Sequence, residues 1–598
     1  MQERRADWLA FLRALLRVGT VCAVAGLVAD FGLPLDDGVR GWIRAGQLAL
    51  VALFALSTGL GLAWAPARGV YLRERWLEVA LLALIAVDVS VGLVLERVGP
   101  LAGAWFYGVQ AYLMVRMALS IAHVQEWLSR RTLRPALWLL ASFVGLALVG
   151  AALLWLPLSR APGAEPWSFT DAFFTSASAV CVTGLAVRDI GSELSFRGQA
   201  VLLGLIQIGG LGLVALACAA GVLERGRLSL RESQVLGEAI GFSNPGLLRR
   251  FLGFAIGFTL VVEAAGAGII LFLVQERDLG GHDPLWWSVF HAISAFCNAG
   301  FSLSSTNLVP YAKDVALLTV IGVLVVLGGI GFAVHMDVLA LRPLSLGTLR
   351  WVRWRLSNSI HWPWRHAVFQ GECSPRLALS SRLVLATSAI LLVAGTMAVL
   401  MSERSGILRH EDMGQKWFLS AFASVSARTA GFQTHDLAEL AGPTLLATML
   451  LMIVGASPLS TGGGVKTSTL AVAALTLRSM AMNRDSVEAF GRTIPRRVVN
   501  ACVAITVLYG VAATSVTAAL LATQSELTFH EAAFESVSAL STVGLSVNVT
   551  PRLDDTGRWI VALAMIAGRI GPLACLWSFV SRGRGLHYRY PEENVVVS

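Results

Sequence analysis

One pattern recurs four times in this chain: F-x-x-x-S-A, closed a few residues later by a glycine. Phe174 leads S-A-V-C-V-T-G (178–184), Phe290 leads S-A-F-C-N-A-G (294–300), and Phe534 leads S-A-L-S-T-V-G (538–544). The remaining copy, led by Phe422, reads S-A-R-T-A-G (426–431) and is one residue shorter. The closing glycines Gly184, Gly300, Gly431 and Gly544 are spaced by about 113–131 residues. The chain must therefore build four similar units, each presenting the same loop of small and hydroxylated residues.

Every copy sits between two long apolar runs, and the composition says what those runs are. Of 598 residues, 56% are hydrophobic and only 14% charged, against about 25% charged in soluble domains. Runs of roughly 20 apolar residues span about 30 Å of hydrocarbon. Such runs fall near 8–33, 42–65, 76–96, 101–122, 135–157, 198–222, 250–274, 314–340, 380–401, 441–478, 498–522 and 557–580. The segments that carry the repeat, near 169–180, 285–296, 416–427 and 528–540, are too short to cross. They fit re-entrant helices, which dip in and return.

The net charge of +9 sits beside the apolar runs: Arg4, Arg5, Arg13 and Arg17, then 66–75, 129–134, 224–231, 342–382, the arginines from Arg478 to Arg497, and 581–590. With twelve spans and both termini inside, all of these face the cytoplasm and the four repeat segments enter from outside. Positive-inside bias thus explains the charge, and no nucleic-acid partner is expected. Trp351, Trp354, Trp362 and Trp364 with nearby arginines read as an amphipathic interfacial stretch. The seven cysteines (Cys22, Cys181, Cys218, Cys297, Cys373, Cys502 and Cys575) form no C-x-x-C, so they read as small buried hydrophobes, not as a metal site or disulfide framework. The basic start M-Q-E-R-R-A-D-W precedes no A-x-A-like site, so no cleavable signal peptide is expected.

The expected fold is an all-α polytopic membrane protein: four pseudo-symmetric helix–pore loop–helix units around one central pore, behind about four extra N-terminal transmembrane helices. The divisions are 1–125 for the N-terminal extension, 126–235 for the first unit and 236–345 for the second. The third unit, 346–485, includes the interfacial segment and a broken second helix; the fourth, 486–598, includes a cytoplasmic tail.

Irregular backbone at membrane depth is tolerated where protein buries it or a watery cavity borders it. Four similar loops can converge on one axis, where a ring of backbone carbonyls replaces a cation's hydration shell. The short helices before them aim the negative ends of their dipoles inward, and glycine admits the dihedrals that turn carbonyls to the axis. The candidate cation-binding residues are therefore Cys181, Val182, Thr183 and Gly184; Cys297, Asn298, Ala299 and Gly300; Arg428, Thr429, Ala430 and Gly431; and Ser541, Thr542, Val543 and Gly544. The plainer alternative is four tight helix-hairpin turns.

T-G-L, N-A-G-F, A-R-T-A-G-F and S-T-V-G-L, in this order, resemble the four filter loops of the Trk/Ktr/HKT superfamily of potassium transporters. The resemblance covers about residues 135–598. It extends to Q-I-G-G-L-G (207–212), L-G-G-I-G-F (327–332), G-A-S-P-L-S-T-G-G-G-V-K-T-S-T (455–469), G-R-I-G-P-L (568–573) and Y-P-E-E-N-V (590–595). It implies potassium uptake across the cytoplasmic (inner) membrane, with K+ held only at filter carbonyls and no covalent cofactor. It also implies a homodimer with one pore per subunit. A separate cytoplasmic nucleotide-binding ring, TrkA/KtrA-like, would touch the basic loops and tail, and nucleotide would act only through it. In that family a glycine at the Gly184 position goes with potassium, while a serine there goes with sodium in some plant members. Cys181 stands where a hydroxylated residue is more usual. Whether Na+ or H+ is a coupling ion, as in a symporter, is left open.

The run 441–478 is too long for one straight helix and is interrupted by Gly455, Pro458, Gly462, Gly463 and Gly464. It is either a kink or, as the resemblance implies, a flexible gate under the filter that includes Ser457 and ends at Lys466. In the kink reading Lys466 snorkels to the interface. Arg569 takes the place of the second glycine of G-G-x-G (Gly210, Gly329) in the last unit. By resemblance it lines the pore as an electrostatic barrier; alternatively it binds carbonyls of the gate segment. Asp88, Arg116 and Glu263 are further charges within apolar runs, read as structural pairing. His291 reads as a pore-helix packing residue. The chain has no H-E-x-x-H and no G-x-S-x-G, so an enzyme is not expected. The alternatives are a sodium-permeable or Na/K-cotransporting member of the same superfamily, or a pore-fold sensor that reads its signal through the N-terminal helices.

Overall fold

The computed structural model describes residues 36–64, 135–212, 245–339 and 377–571, with isolated helical positions at 26, 69, 79 and 82. Within the N-terminal extension, α1 (Asp37–Trp64) matches the apolar run at 42–65. The first unit is α2 (Pro135–Trp155), α3 (Phe169–Cys181) and α4 (Phe196–Leu211). The second is α5 (Pro245–Val274), α6 (Pro284–Phe296), α7 (Val315–Ile330) and α8 (Phe332–Leu339). The third is α9 (Leu379–Glu403), α10 (Met413–Ala427), α11 (Gly442–Ile453) and α12 (Thr467–Ala481), and the fourth is α13 (Arg496–Thr523), α14 (Phe529–Ser541) and α15 (Asp555–Ile570). The four repeat segments are the short helices α3, α6, α10 and α14. Among the described residues, α1, α5, α9 and α13 contain stretches long and apolar enough to cross a bilayer.

Local sequence sets the ends of the short helices. Ser168 and Asp171 form a capping box at α3, and Thr528 and Glu531 form one at α14. At α6, Asp283 caps and Pro284 supplies the first helical residue, where a missing N–H costs nothing. Asp412 makes no side-chain cap at α10.

Each unit packs on its neighbour in the same way. Every short helix lies on its own leading helix (α2–α3, α5–α6, α9–α10, α13–α14). Every second helix reaches the next unit's short helix (α4–α6, α7–α10, α11–α14), and α15 closes the circle on α3. Polar ties mark the four seams. Trp286 donates to Gln199 (2.8 Å), Gln415 to the Ala312 carbonyl (2.8 Å), Asn548 to Asp436 (3.1 Å) and Arg558 to Asp171 (2.7 Å). In hydrocarbon no hydrophobic effect draws helices together, so close packing must. The repeat's phenylalanines supply it: Phe174, Phe290, Phe422 and Phe534 are all buried. Glycine supplies the close approach. A Cβ on Gly209, Gly328 or Gly568 would stand 2.2, 1.8 or 1.9 Å from the carbonyl oxygens of Val180, Phe296 and Leu540, at the ends of the short helices.

The apolar run at 314–340 is bent, and within the run at 198–222 the described helix stops at Gly212. α4 ends at Gly212 (φ 82°) and α7 at Gly331 (φ 96°). α8 then leaves α7 at 94°. A glycine at positive φ cannot continue a right-handed helix, so both helices stop there, and at Gly331 the run turns into α8. A two-stranded hairpin, β1 (Glu488–Ala489) with β2 (Arg492–Thr493), is a small exception to the all-α pattern. Phe490 and Gly491 both have positive φ (50° and 74°) at its turn, as tight hairpins require. Asp88, Arg116, the basic segments at 66–75 (position 69 apart), 129–134 and 224–231, the tryptophan-rich stretch and the tail beyond 571 lie outside the described residues.

Candidate functional site

The four loops meet at the centre of the circle. Each repeats one backbone course: a left-handed residue two before the glycine (Val182, Asn298, Thr429, Thr542; φ 57°, 60°, 77°, 52°), then the glycine itself (φ 97°, 69°, 76°, 91°). The glycines form a closed ring. A Cβ on Gly184 would stand 2.3 Å from the Ala299 carbonyl oxygen, and on Gly300 2.5 Å from that of Ala430. On Gly431 it would stand 2.3 Å from that of Val543, and on Gly544 2.0 Å from that of Thr183. Each glycine thus leans on the residue preceding the next unit's glycine, and the fourth leans on the first.

The repeat's serine anchors each loop. Ser178 and Ser538 hydroxyls accept from the N–H of Gly184 (3.1 Å) and Gly544 (3.2 Å). Ser294 and Ser426 instead donate to the carbonyls of Phe301 (2.7 Å) and Phe432 (2.5 Å), just past their glycines. The backbone closes the same turn, with Thr183, Ala299 and Val543 donating to the carbonyls of Ser178, Ser294 and Ser538 at 2.7–2.9 Å. In the shorter third loop, Ala430 donates to Ser426 at 2.9 Å.

The sixteen candidate filter residues are brought together as four strands of this ring. Their side chains do not behave alike. Arg428 turns away, donating to the hydroxyl (3.0 Å) and carbonyl (3.3 Å) of Ser388 on α9. Cys181 and Cys297 are buried free thiols. The Cys297 thiol contacts Glu263 (3.7 Å) and Gln207 (3.8 Å), and Gln207 donates to Glu263 at 3.1 Å. Glu263 is therefore held by neutral donors behind the second loop.

The break between α11 and α12, residues 455–466, lies against the deep end of the ring. Ser457 and Thr461 donate backbone N–H groups to the carbonyls of Gly329 (3.0 Å) and Gly328 (3.4 Å), and Phe332 donates to Leu459 (3.0 Å). Thr461 Oγ1 donates to the Phe296 carbonyl at 3.2 Å. The Asn298 amide pairs with both Thr461 and Thr429 hydroxyls. A Cβ on Gly462 or Gly463 would meet the hydroxyl oxygens of Thr429 (2.3 Å) or Thr542 (2.2 Å). Thr467 donates to Ser457 at 3.2 Å. Lys466 does not snorkel outward: its ammonium folds back onto the Gly462 carbonyl at 2.7 Å. Arg569 donates to the carbonyls of Thr461 and Gly209, joining the segment to α4.

Sequence reasoning missed several residues around the ring. Thr461, which ties the break to the second loop, lies within the interrupted run 441–478, but a threonine hydroxyl carries no sign of its partner. Glu535 and the serines Ser302 and Ser546 were not singled out. The signal was available: Glu535 directly follows a repeat Phe, and the two serines fall two residues past a closing glycine.

Comparison with known proteins follows the same outline. The family described as TrkH, cation transport protein, matches residues 120–582. The chain is 34% identical to the Ktr system potassium uptake protein B of Vibrio alginolyticus, over 77% of this chain and 94% of that one. It is 30% identical to the potassium/sodium uptake protein NtpJ of Enterococcus hirae, over 78% of this chain and 98% of that one. The crystal structure of the potassium transporter TrkH from Vibrio parahaemolyticus shares the fold, with a TM-score of 0.57 and 18% identity over 85% of this chain and 98% of that one.

Proposed function

The chain belongs to the TrkH family of cation transport proteins, and from that premise we propose that it takes up potassium through a selectivity filter built by its four loops. As a member it is a multi-pass membrane ion transporter and not an enzyme. The observation that carries the proposal is the closed ring of Gly184, Gly300, Gly431 and Gly544, each against the next loop's carbonyl. Four equivalent backbones around one axis suit a dehydrated monovalent cation, which carbonyl dipoles can coordinate in place of water. The filter residues are each closing glycine and the three residues before it. An inside-negative potential drives entry, contributing about 2.3 kcal/mol per 100 mV for each charge.

The segment from Gly455 to Lys466, with Ser457 and Gly462 to Gly464, is the gate. Its support is its position against the deep ends of the loops and its attachment to Arg569. Arg569 both straps the gate and sets a positive charge beside the cation path. The protein works in the cytoplasmic membrane with both termini inside, as a homodimer, and receives a nucleotide-binding ring on its basic loops. The family match begins at residue 120, so residues 1–119 lie outside the matched core. The relative named a potassium/sodium uptake protein supports a second reading, sodium permeation or Na/K cotransport. Gly184 favours potassium.

The test is growth of a transport-deficient bacterium at low potassium. The wild type should restore growth, and Gly184→Ser should weaken it. Sodium uptake without potassium uptake would overturn the substrate. No rescue by protein present in the membrane, together with no flux of either cation, would overturn the function.

A further inference from the structure

Two positions repeat around the ring beside the loops. The residue after the repeat's Phe is Thr175, His291, Ala423 or Glu535, and the residue two past the closing glycine is Ala186, Ser302, Gln433 or Ser546. In the second and fourth loops, which face each other across the ring, these two positions are bonded. His291 Nε2 lies 3.0 Å from the Ser302 hydroxyl, and Ser546 donates to Glu535 at 2.8 Å.

The two bonds are built alike. Both His291 and Glu535 are fully buried. His291 Nδ1 lies 2.8 Å from the Trp287 carbonyl, which can only accept, so Nδ1 carries a hydrogen and Nε2 is the ring atom that bonds Ser302. Trp287 stacks on the imidazole with centroids 3.6 Å apart, fixing its plane. The other oxygen of Glu535 accepts from the Thr550 hydroxyl. Each serine in turn accepts from the turn that leaves the ring: Ser302 from Ser304 N–H (3.0 Å), Ser546 from Val549 N–H (3.1 Å) and Thr550 N–H (3.4 Å). The serine is therefore a hub that joins short helix, filter loop and outgoing turn.

The other two loops lack this bond. The buried Thr175 hydroxyl has no hydrogen-bond partner among the described residues. Ala186 and Ala423 have no polar side-chain atom to offer. Among the described residues, this helix-to-exit bond is thus present along one diagonal of the ring and absent from the other.

We propose that His291 and Glu535 are positioning residues that clamp the second and fourth loops through Ser302 and Ser546, fixing the ring's width along one diagonal and with it the discrimination between potassium and sodium. This deepens, and rests on, the reading of the four loops as a cation filter. Discrimination by cavity size or by coordinating carbonyls needs loops that hold their spacing, and a buried hydrogen bond free of competing water is suited to hold it.

The test uses the purified full chain in liposomes, measuring potassium and sodium uptake in parallel. Ser302→Ala and Ser546→Ala remove the hubs while leaving the buried His291 and Glu535 in place. Each should lower the potassium-to-sodium uptake ratio about five- to tenfold, the loss set by one buried hydrogen bond. Ser302→Thr and Ser546→Thr keep the hydroxyl and should restore the ratio. Thr175→Val, at the same position of an unbraced loop, should leave it unchanged. An unchanged ratio in both alanine variants would overturn the clamp, as would an equal shift in Thr175→Val. Should an alanine variant fail to fold, its threonine counterpart decides: a normal ratio supports the clamp and a wild-type fold with a lowered ratio refutes it. Wild-type liposomes that take up neither cation would overturn the filter reading itself, separately from the clamp.

Discussion

The four loops and the four second helices stem from one repeat, yet they have diverged to different degrees. Each loop keeps the same left-handed residue and left-handed glycine. The second helices differ. α4, α7 and α15 each run 16 residues to a left-handed glycine, whereas the third unit's helix is split into α11 and α12. The fourth places Arg569 where Gly210 and Gly329 stand. The difference has a geometric source. Each loop glycine leans on a neighbouring loop and is leaned on in return, so a change in one loop disturbs two contacts. A second helix packs on the end of its own short helix at Gly209, Gly328 or Gly568 and on the next unit's short helix, outside the ring of glycines and carbonyls. It is free to specialise without breaking the ring. Symmetry is retained in the loop contacts that close the ring, and divergence is found in the helices that surround it.

The sharpest way to break that comparison is to give one loop glycine a side chain. Gly431 has φ 76° and a Cβ would stand 2.3 Å from the Val543 carbonyl oxygen. The left-handed penalty and the clash together reach about 3 kcal/mol. Gly431→Ala should therefore lower potassium uptake about a hundredfold at equal protein in the membrane. Gly510 on α13 has nothing within 4 Å of a would-be Cβ, so Gly510→Ala should transport as the wild type. Equal behaviour of the two variants would remove the argument that ring contacts enforce symmetry.

A smaller effect is expected in the second helices, and its direction is opposite. Arg569 donates to the carbonyls of Thr461 and Gly209. Removing these charge-assisted bonds loosens the segment between α11 and α12. Arg569→Gln should raise the maximal rate of potassium uptake about fivefold with little change in the half-saturating concentration, a change of about 1 kcal/mol. Arg569→Lys keeps the charge but cannot bridge both carbonyls with one planar fork. A rate near wild type in the lysine variant assigns the effect to charge; a rate near the glutamine variant assigns it to the strap. A fall in rate for Arg569→Gln would count against both.

The same comparison explains what the sequence could reveal. The short helices 169–180, 285–296, 416–427 and 528–540 were readable because the repeat is written in residue types: Phe for packing, Ser for a hydroxyl, Gly for positive φ. The break in 441–478 was readable for the same reason. The use of each residue was less readable. Ser178 accepts from a glycine N–H while Ser294 donates to a carbonyl, and one letter encodes both. Arg428 sits within the repeated loop motif but directs its guanidinium to Ser388 of another helix. Lys466 had a plausible outward path, but the Gly462 carbonyl four residues back is closer. The bend at Gly331 was hidden because an uninterrupted apolar run says nothing about direction. In each case the deciding partner is distant in sequence or is backbone, which carries no letter.

The mildest test concerns how the loops are approached. Two short helices begin with a capping box and one with Asp283 and Pro284, while α10 has no side-chain cap, so the loops tolerate unequal starts. At α14, outside the spanning helices, Thr528 donates to Glu531 from its hydroxyl (2.6 Å) and its backbone N–H (2.9 Å). The Thr528 hydroxyl, then its N–H, and the Arg552 guanidinium pull the Glu531 carboxyl from 4.5 down to about 2. A carboxyl lowered in the folded state contributes stability above its ordinary value and loses it as pH falls through the folded one. That contribution is therefore complete above the ordinary value of 4.5 and fades toward about pH 2. Thr528→Ala should lower stability by about 1 kcal/mol in thermal unfolding at neutral pH. It should also narrow the acid window, because Glu531 loses its leading donor. Potassium uptake should remain at the wild-type level, since the ring contacts of Gly544 lie at the other end of the helix. A large loss of uptake from this cap alone would mean that the fourth loop is set from its helix start and not by its neighbours.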